Sequence, residues 1–168
     1  MVAPQTSPRV SPVVTHFAND DVVVCTWKAV LISIWKRDHR VTYAQARGAA
    51  GEVLARNNAG PLALFTLVLE TGLLPDEPTR DALAKVRLAP CFQRVVACAG
   101  IAEGDPLRAA ALRSVSIDLD QRARPPFPTR MFGSRLDAAE WVVDRLKRAG
   151  DTSIRANEFL GVIADLVR

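Results

Sequence analysis

Residues 62–69 read Leu-Ala-Leu-Phe-Thr-Leu-Val-Leu, and both alternating sets, Leu62/Leu64/Val68 and Ala63/Phe65/Leu67/Leu69, call for burial. A strand sends successive side chains to opposite faces, so a run that is apolar on both needs cover on both. That requirement puts 62–69 in the middle of a sheet and makes a layered α/β fold the expected class. The charge-free stretch around it begins at Asn57-Asn58-Ala59-Gly60-Pro61, which is turn chemistry. It therefore falls short of the ~20 apolar residues that a spanning helix needs, and no membrane span is expected.

The flanking text supplies the other elements. Val13-Val14-Thr15-His16-Phe17-Ala18 and Val22-Val23-Val24-Cys25-Thr26-Trp27, separated by Asn19-Asp20-Asp21, predict an opening β-hairpin. Thr42 and Gln45 have capping-box spacing, so a helix is expected to follow as far as Arg56. Asp76 with Pro78, Asp105 with Pro106, and Ser134 each predict a helix start, in the second case with Leu107, Ala111, Val115 and Leu119 on the buried face. Strands are expected over 92–99 and 129–132, and a last amphipathic helix from Ser153 carries Ile154, Phe159, Ile163 and Leu166. The order β, β, α, β, α, β, α, β, α, α implies a mixed, mostly parallel sheet opened by a hairpin. Crossovers advancing in one direction put their helices on one face, so the last helix or a second subunit, in a homodimer, must cover the other.

With 49% apolar and 24% charged residues over 168 positions, one domain with a sizeable core is expected. Its bounds are 13–150, after an arm over 1–12 rich in Pro and Ser and before a helix over 151–168 that packs on the domain or on a partner. Pro4, Pro8 and Pro12 interrupt any signal-peptide core, and Cys25, Cys91 and Cys98 sit among apolar neighbours as reduced thiols do, so a cytoplasmic location is expected. The net charge of +4 is spread among acids, with no run of five like charges, and nucleic acid is not an expected partner.

No phosphate-cradling glycine loop is legible, so no nucleotide cofactor is expected. His16 and His39, read as surface residues, lie near no cysteine at metal-ligand spacing, and no metal site is expected. A nucleophile motif is also missing, and no catalytic residue is assigned. Glu70, Asp76, Glu77 and Asp81 cluster after the central strand, where they serve either acid–base chemistry or helix capping. Arg122, Arg124 and Arg130 flank a proline-rich connection and read as solvated. The stretch Leu31-Ile32-Ser33-Ile34-Trp35-Lys36-Arg37-Asp38-His39-Arg40 reads either as a short extra turn with Ile32 and Trp35 in the core or as a partner-binding surface.

Segments 22–27, 62–69 and 95–97, with the run 112–124 leading into Pro125-Pro126-Phe127-Pro128, give an element order over 13–149 that resembles STAS and SpoIIAA-like domains. The resemblance implies a non-catalytic regulatory module that docks a partner protein. It also implies a phosphorylatable Ser or Thr in an Asp-Ser-Ser-Gly-like turn, against which this chain has Glu70-Thr71-Gly72-Leu73. One branch of that family implies an apolar small-molecule ligand in a cleft, here near Trp27, Ile34 and Trp35. The loops at the carboxyl ends of the parallel strands are the expected working surface. Trp35, Arg37 and Leu73 are its expected partner contacts, and Thr71 and Thr79 are its candidate phosphate acceptors.

Overall fold

The computed structural model describes residues 11–168. The predicted arm lies outside these residues except for Ser11 and Pro12. Six strands form one mixed sheet in the order β1-β2-β3-β4-β5-β6. They are β1 (Val14–Ala18), β2 (Val22–Trp27), β3 (Val30–Trp35), β4 (Leu62–Val68), β5 (Val95–Ala102) and β6 (Thr129–Phe132). Pairing is antiparallel from β1 to β3 and parallel from β3 to β6. The helices are α1 (Val41–Asn57), α2 (Glu77–Arg87), α3 (Pro106–Ala123), α4 (Arg135–Arg148) and α5 (Ala156–Leu166). The fold is thus α/β, and β4, apolar on both faces, lies inside the sheet. No described helix is long and apolar enough to cross a membrane.

One strand is additional to the expected order. Segment 31–40 is not an extra turn: its first half belongs to β3, which is buried at every position and pairs with both β2 and β4. The turn before it is Lys28-Ala29, and Lys28 adopts φ 49°. Such a position favours Gly or Asn, so a lysine there hides the turn from a sequence reading. Lys28 is held by the rest of the fold: its Nζ donates to Ser153 O (2.7 Å) and to Glu158 Oε2 (3.0 Å) and lies 4.8 Å from the Trp27 ring centre.

Other boundaries shift for local reasons. Asp76, Asp105 and Ser134 cap α2, α3 and α4 as their spacing demands, each accepting from the backbone N–H three residues on. The Thr42/Gln45 capping box is not used; α1 starts at Val41 after Arg40, with no side-chain cap. The strand expected over 92–99 runs from Val95 to Ala102, because Pro90–Phe92 forms a 3₁₀ turn. Leu107 is 84% exposed, and the inner face of α3 is Leu112, Val115, Leu119 and Ala123.

The crossover helices α1, α2 and α3 form one layer, with α2 packed between its neighbours. Helix α4 returns across β4, β5 and β6 on the other face, and α5 packs beside it. Phe159 of α5 stacks on Trp27 at 5.6 Å and meets Phe65 edge-on at 4.9 Å. Helix α5 thus packs against the sheet through Phe159.

Gly51 marks the tightest helix contact in this layer. A Cβ there would lie 2.4 Å from Cε1 of Phe92, which is fully buried. Alanine in a helix normally gains about 1 kcal/mol over glycine, whereas forcing an extra carbon into a packed core costs about 1–3 kcal/mol. Gly51→Ala is expected to lose stability in urea denaturation. Gly48→Ala, whose new carbon would meet Val86 at an ordinary 3.5 Å, is expected to gain it.

Candidate functional site

The carboxyl ends of β3, β4 and β5 bring three loops to one edge of the sheet. Backbone hydrogen bonds join them: Leu69 N–H donates to Trp35 O (2.8 Å), Leu73 N–H to Arg37 O (2.5 Å) and Glu103 N–H to Val68 O (2.9 Å). The Thr71 hydroxyl donates to Lys36 O. From α3, the Arg108 guanidinium reaches back to Leu69 O (2.8 Å), Gly72 O (3.1 Å from Nε) and Glu103 O. Gly72 is needed for that approach, since a Cβ there would lie 2.7 Å from Val68 and 3.1 Å from Arg108 Nη2. Arg135 of α4 adds an ion pair to Glu103 at 2.6 Å.

This stitched rim holds Leu73 and Leu74 at 60% and 45% exposure. Leu107, 84% exposed, stands at the start of α3 next to Arg108, which bonds Gly72 beside Leu73. Arg37 and Thr71 are exposed on the same edge. Trp35 and Thr79 are not surface residues. Trp35, at the end of β3, alternates inward, is 4% exposed and packs 4.0 Å from the His39 ring. Thr79 is 1% exposed and its hydroxyl donates to His39 O at 3.2 Å.

His39 itself is buried, contrary to the surface reading. Burial, then the charge of Arg47, push its imidazole down to about 3 against the opposing pull of Asp38, so the ring is neutral. Three of the carboxylates after β4, Asp76, Glu77 and Asp81, have structural partners. Asp76 caps α2, and hydrogen bonds from Thr79 hold it below its usual range, the direction opposite to a general acid. Arg122 pairs with Glu77 (2.7 Å), Asp81 (2.6 Å) and Asp118 (2.9 Å), tying α2 to α3 rather than standing solvated. Among the described residues no group of three metal-ligating side chains converges. Burial pushes the Cys25 thiol up to about 12 and also raises Cys91, so neither is an activated nucleophile.

A second feature was not singled out in the sequence. Between α1–α3 and the sheet lies a cavity of about 50 Å³. The strands beneath it present small or polar side chains, Thr66, Cys98 and Gly100, while α2 packs on α1 and α3 above. Two arginines line it. Arg87 is paired with Asp120, which also accepts from the Thr129 hydroxyl at 3.0 Å. Arg47 is 5% exposed, and its Nη2 is buried without a hydrogen-bond partner. Burial depresses Arg47, and Arg87 adds like-charge repulsion, against a pull from the Cys98 thiol.

The sequence signal for Arg47 was its spacing. It falls among Tyr43, Ala44, Ala50, Gly51 and Leu54, which make the buried face of α1 at helical intervals. Compared with protein-family models, with curated proteins and with solved structures, the chain matched none.

Proposed function

We propose that this chain is a non-catalytic, STAS-like binding module that docks a partner protein on the rim formed by the loops after β3, β4 and β5. The observation that carries this reading is the display of Leu73 and Leu74 in solvent by loops bonded to one another, with Leu107 exposed at the start of α3. Large aliphatic side chains grouped on a fixed backbone cost free energy in water and suit a protein interface. The capped and paired carboxylates of α2 favour binding over acid–base catalysis.

Thr71 is the regulatory position in this reading. Its hydroxyl is exposed and bonded to Lys36 O, so a phosphate there would break that bond and place negative charge two residues from Leu73.

The test is quantitative capture of cell proteins by the wild type and by a Leu73→Asp/Leu107→Asp variant, with sedimentation velocity to separate self-association from a different partner. Interface anchors contribute about 2 kcal/mol or more, so partner retention is expected to fall about 30-fold or more. Stability should change by no more than about 0.5 kcal/mol, as at other surface positions. Identical partner lists at equal occupancy would remove the rim from consideration.

A further inference from the structure

We propose that the cavity between α1–α3 and the sheet binds a small monovalent carboxylate, with Arg47 as its principal contact. The inference is independent of the rim reading, since it concerns an interior site between the sheet and the helices rather than the docking edge.

A guanidinium keeps its charge at any ordinary pH, and a buried charge without a partner is strongly unfavourable. Arg47 is close to that position: it is 5% exposed, its Nη2 meets no acceptor, and the one acceptor that bears on it is the weak Cys98 thiol. Of the groups facing it, the Cys98 thiol is a weak acceptor and Arg87 adds like charge, which raises the demand for a counter-ion, while Asp120 is already engaged by Arg87 and Thr129. Two arginines and one aspartate leave the site one positive charge in excess, the complement of a single anion.

Size and lining narrow the class. A buried water needs roughly 10–15 Å³ of such space, whereas drug-sized ligands occupy roughly 300–1,000 Å³. A cavity of about 50 Å³ therefore admits a ligand of a few heavy atoms. Hydroxyls of Thr66, Ser116 and Thr129 share the lining with Trp35, Val115 and Met131. A carboxylate matches the planar guanidinium fork, and a short alkyl group suits the apolar wall. A wholly apolar ligand would leave Arg47 unpaired, and a phosphate dianion would exceed the available charge.

The experiment titrates the full chain with acetate and propionate against chloride at matched ionic strength. It reads thermal midpoint and the amide and arginine side-chain signals in ¹H–¹⁵N spectra. A saturable rise in midpoint, with shifts centred on Arg47, Thr66 and Ser116, is expected for the carboxylates. Arg47→Met should abolish the response at least tenfold in affinity while keeping the fold, and Ser116→Ala is the second variant should Arg47→Met not fold. Leu73→Asp/Leu107→Asp should bind carboxylate as the wild type does. Equal responses to chloride and carboxylate, a preference for phosphate, or unchanged binding in the folded variants would overturn the proposal. So would thiolate absorbance at neutral pH lost in Cys98→Ala, which would make Cys98 the counter-ion.

Discussion

Truncating Phe159 to alanine is expected to lower the unfolding free energy by about 3–5 kcal/mol, the loss typical of a fully buried phenylalanine. Its ring is inaccessible to solvent, lies nearly parallel to Trp27 (interplanar angle 4°) and stands edge-on to Phe65 at 71°. Those two residues belong to β2 and β4, so the truncation opens a void over the centre of the sheet. Lys28, next to Trp27, is anchored to Ser153 and Glu158 in the same region, and the loss should not stay local. Urea denaturation followed by tryptophan fluorescence is the measurement. A loss below about 1 kcal/mol would mean that α5 is an accessory, at odds with a core residue of this size.

Acid is expected to destabilise the protein through His39. Its imidazole is pushed down to about 3 in the fold from an ordinary 6.5, chiefly by burial. A base with a depressed folded value takes up protons preferentially in the unfolded chain. The contribution is therefore complete above about pH 6.5 and is lost as pH falls toward 3. At pH 4.5 the loss attributable to this one group is about 2–3 kcal/mol. The ring is 3% exposed, packs on Trp35 and leaves Nδ1 unpartnered, so leucine is a tolerable replacement. Urea titrations of wild type and His39→Leu at pH 7 and pH 4.5 separate the histidine's effect from that of the carboxylates common to both. Equal pH dependence in the two proteins would refute the assignment.

The parts of the fold that were legible are those where one residue type does one job. Asp105-Pro106 and Asp76 specify helix starts by local hydrogen bonding, and the doubly apolar run at 62–69 could only be an inner strand. The illegible parts depend on distant partners. Lys28 occupies left-handed backbone without the glycine that advertises such a turn, so β3 was hidden between a turn that could not be seen and a basic loop that could. His39 looked polar and exposed because nothing local says that Trp35, Tyr43 and Arg47 enclose it.

The candidate sites divide in the same way. Leu73 and Arg37 are where an edge of parallel strands must put them, whereas Trp35 and Thr79 turn inward by strand alternation and helix packing. Arg47 and Arg87 each occupy the inner stripe of an otherwise apolar or small-residue helix face, a pattern present in the sequence itself. A cation where periodicity demands an apolar side chain is a sharper signal than a cluster of acids at a helix start.

Strand order in this sheet runs from first to last without reversing. In doubly wound sheets a reversal sends adjacent connections to opposite sides and splits the edge into a crevice, which is where small molecules settle. Monotonic order denies the chain that cleft. Consecutive loops are instead bonded to one another along that edge, and an enclosed space for a small solute lies behind the strands, under the helical layer.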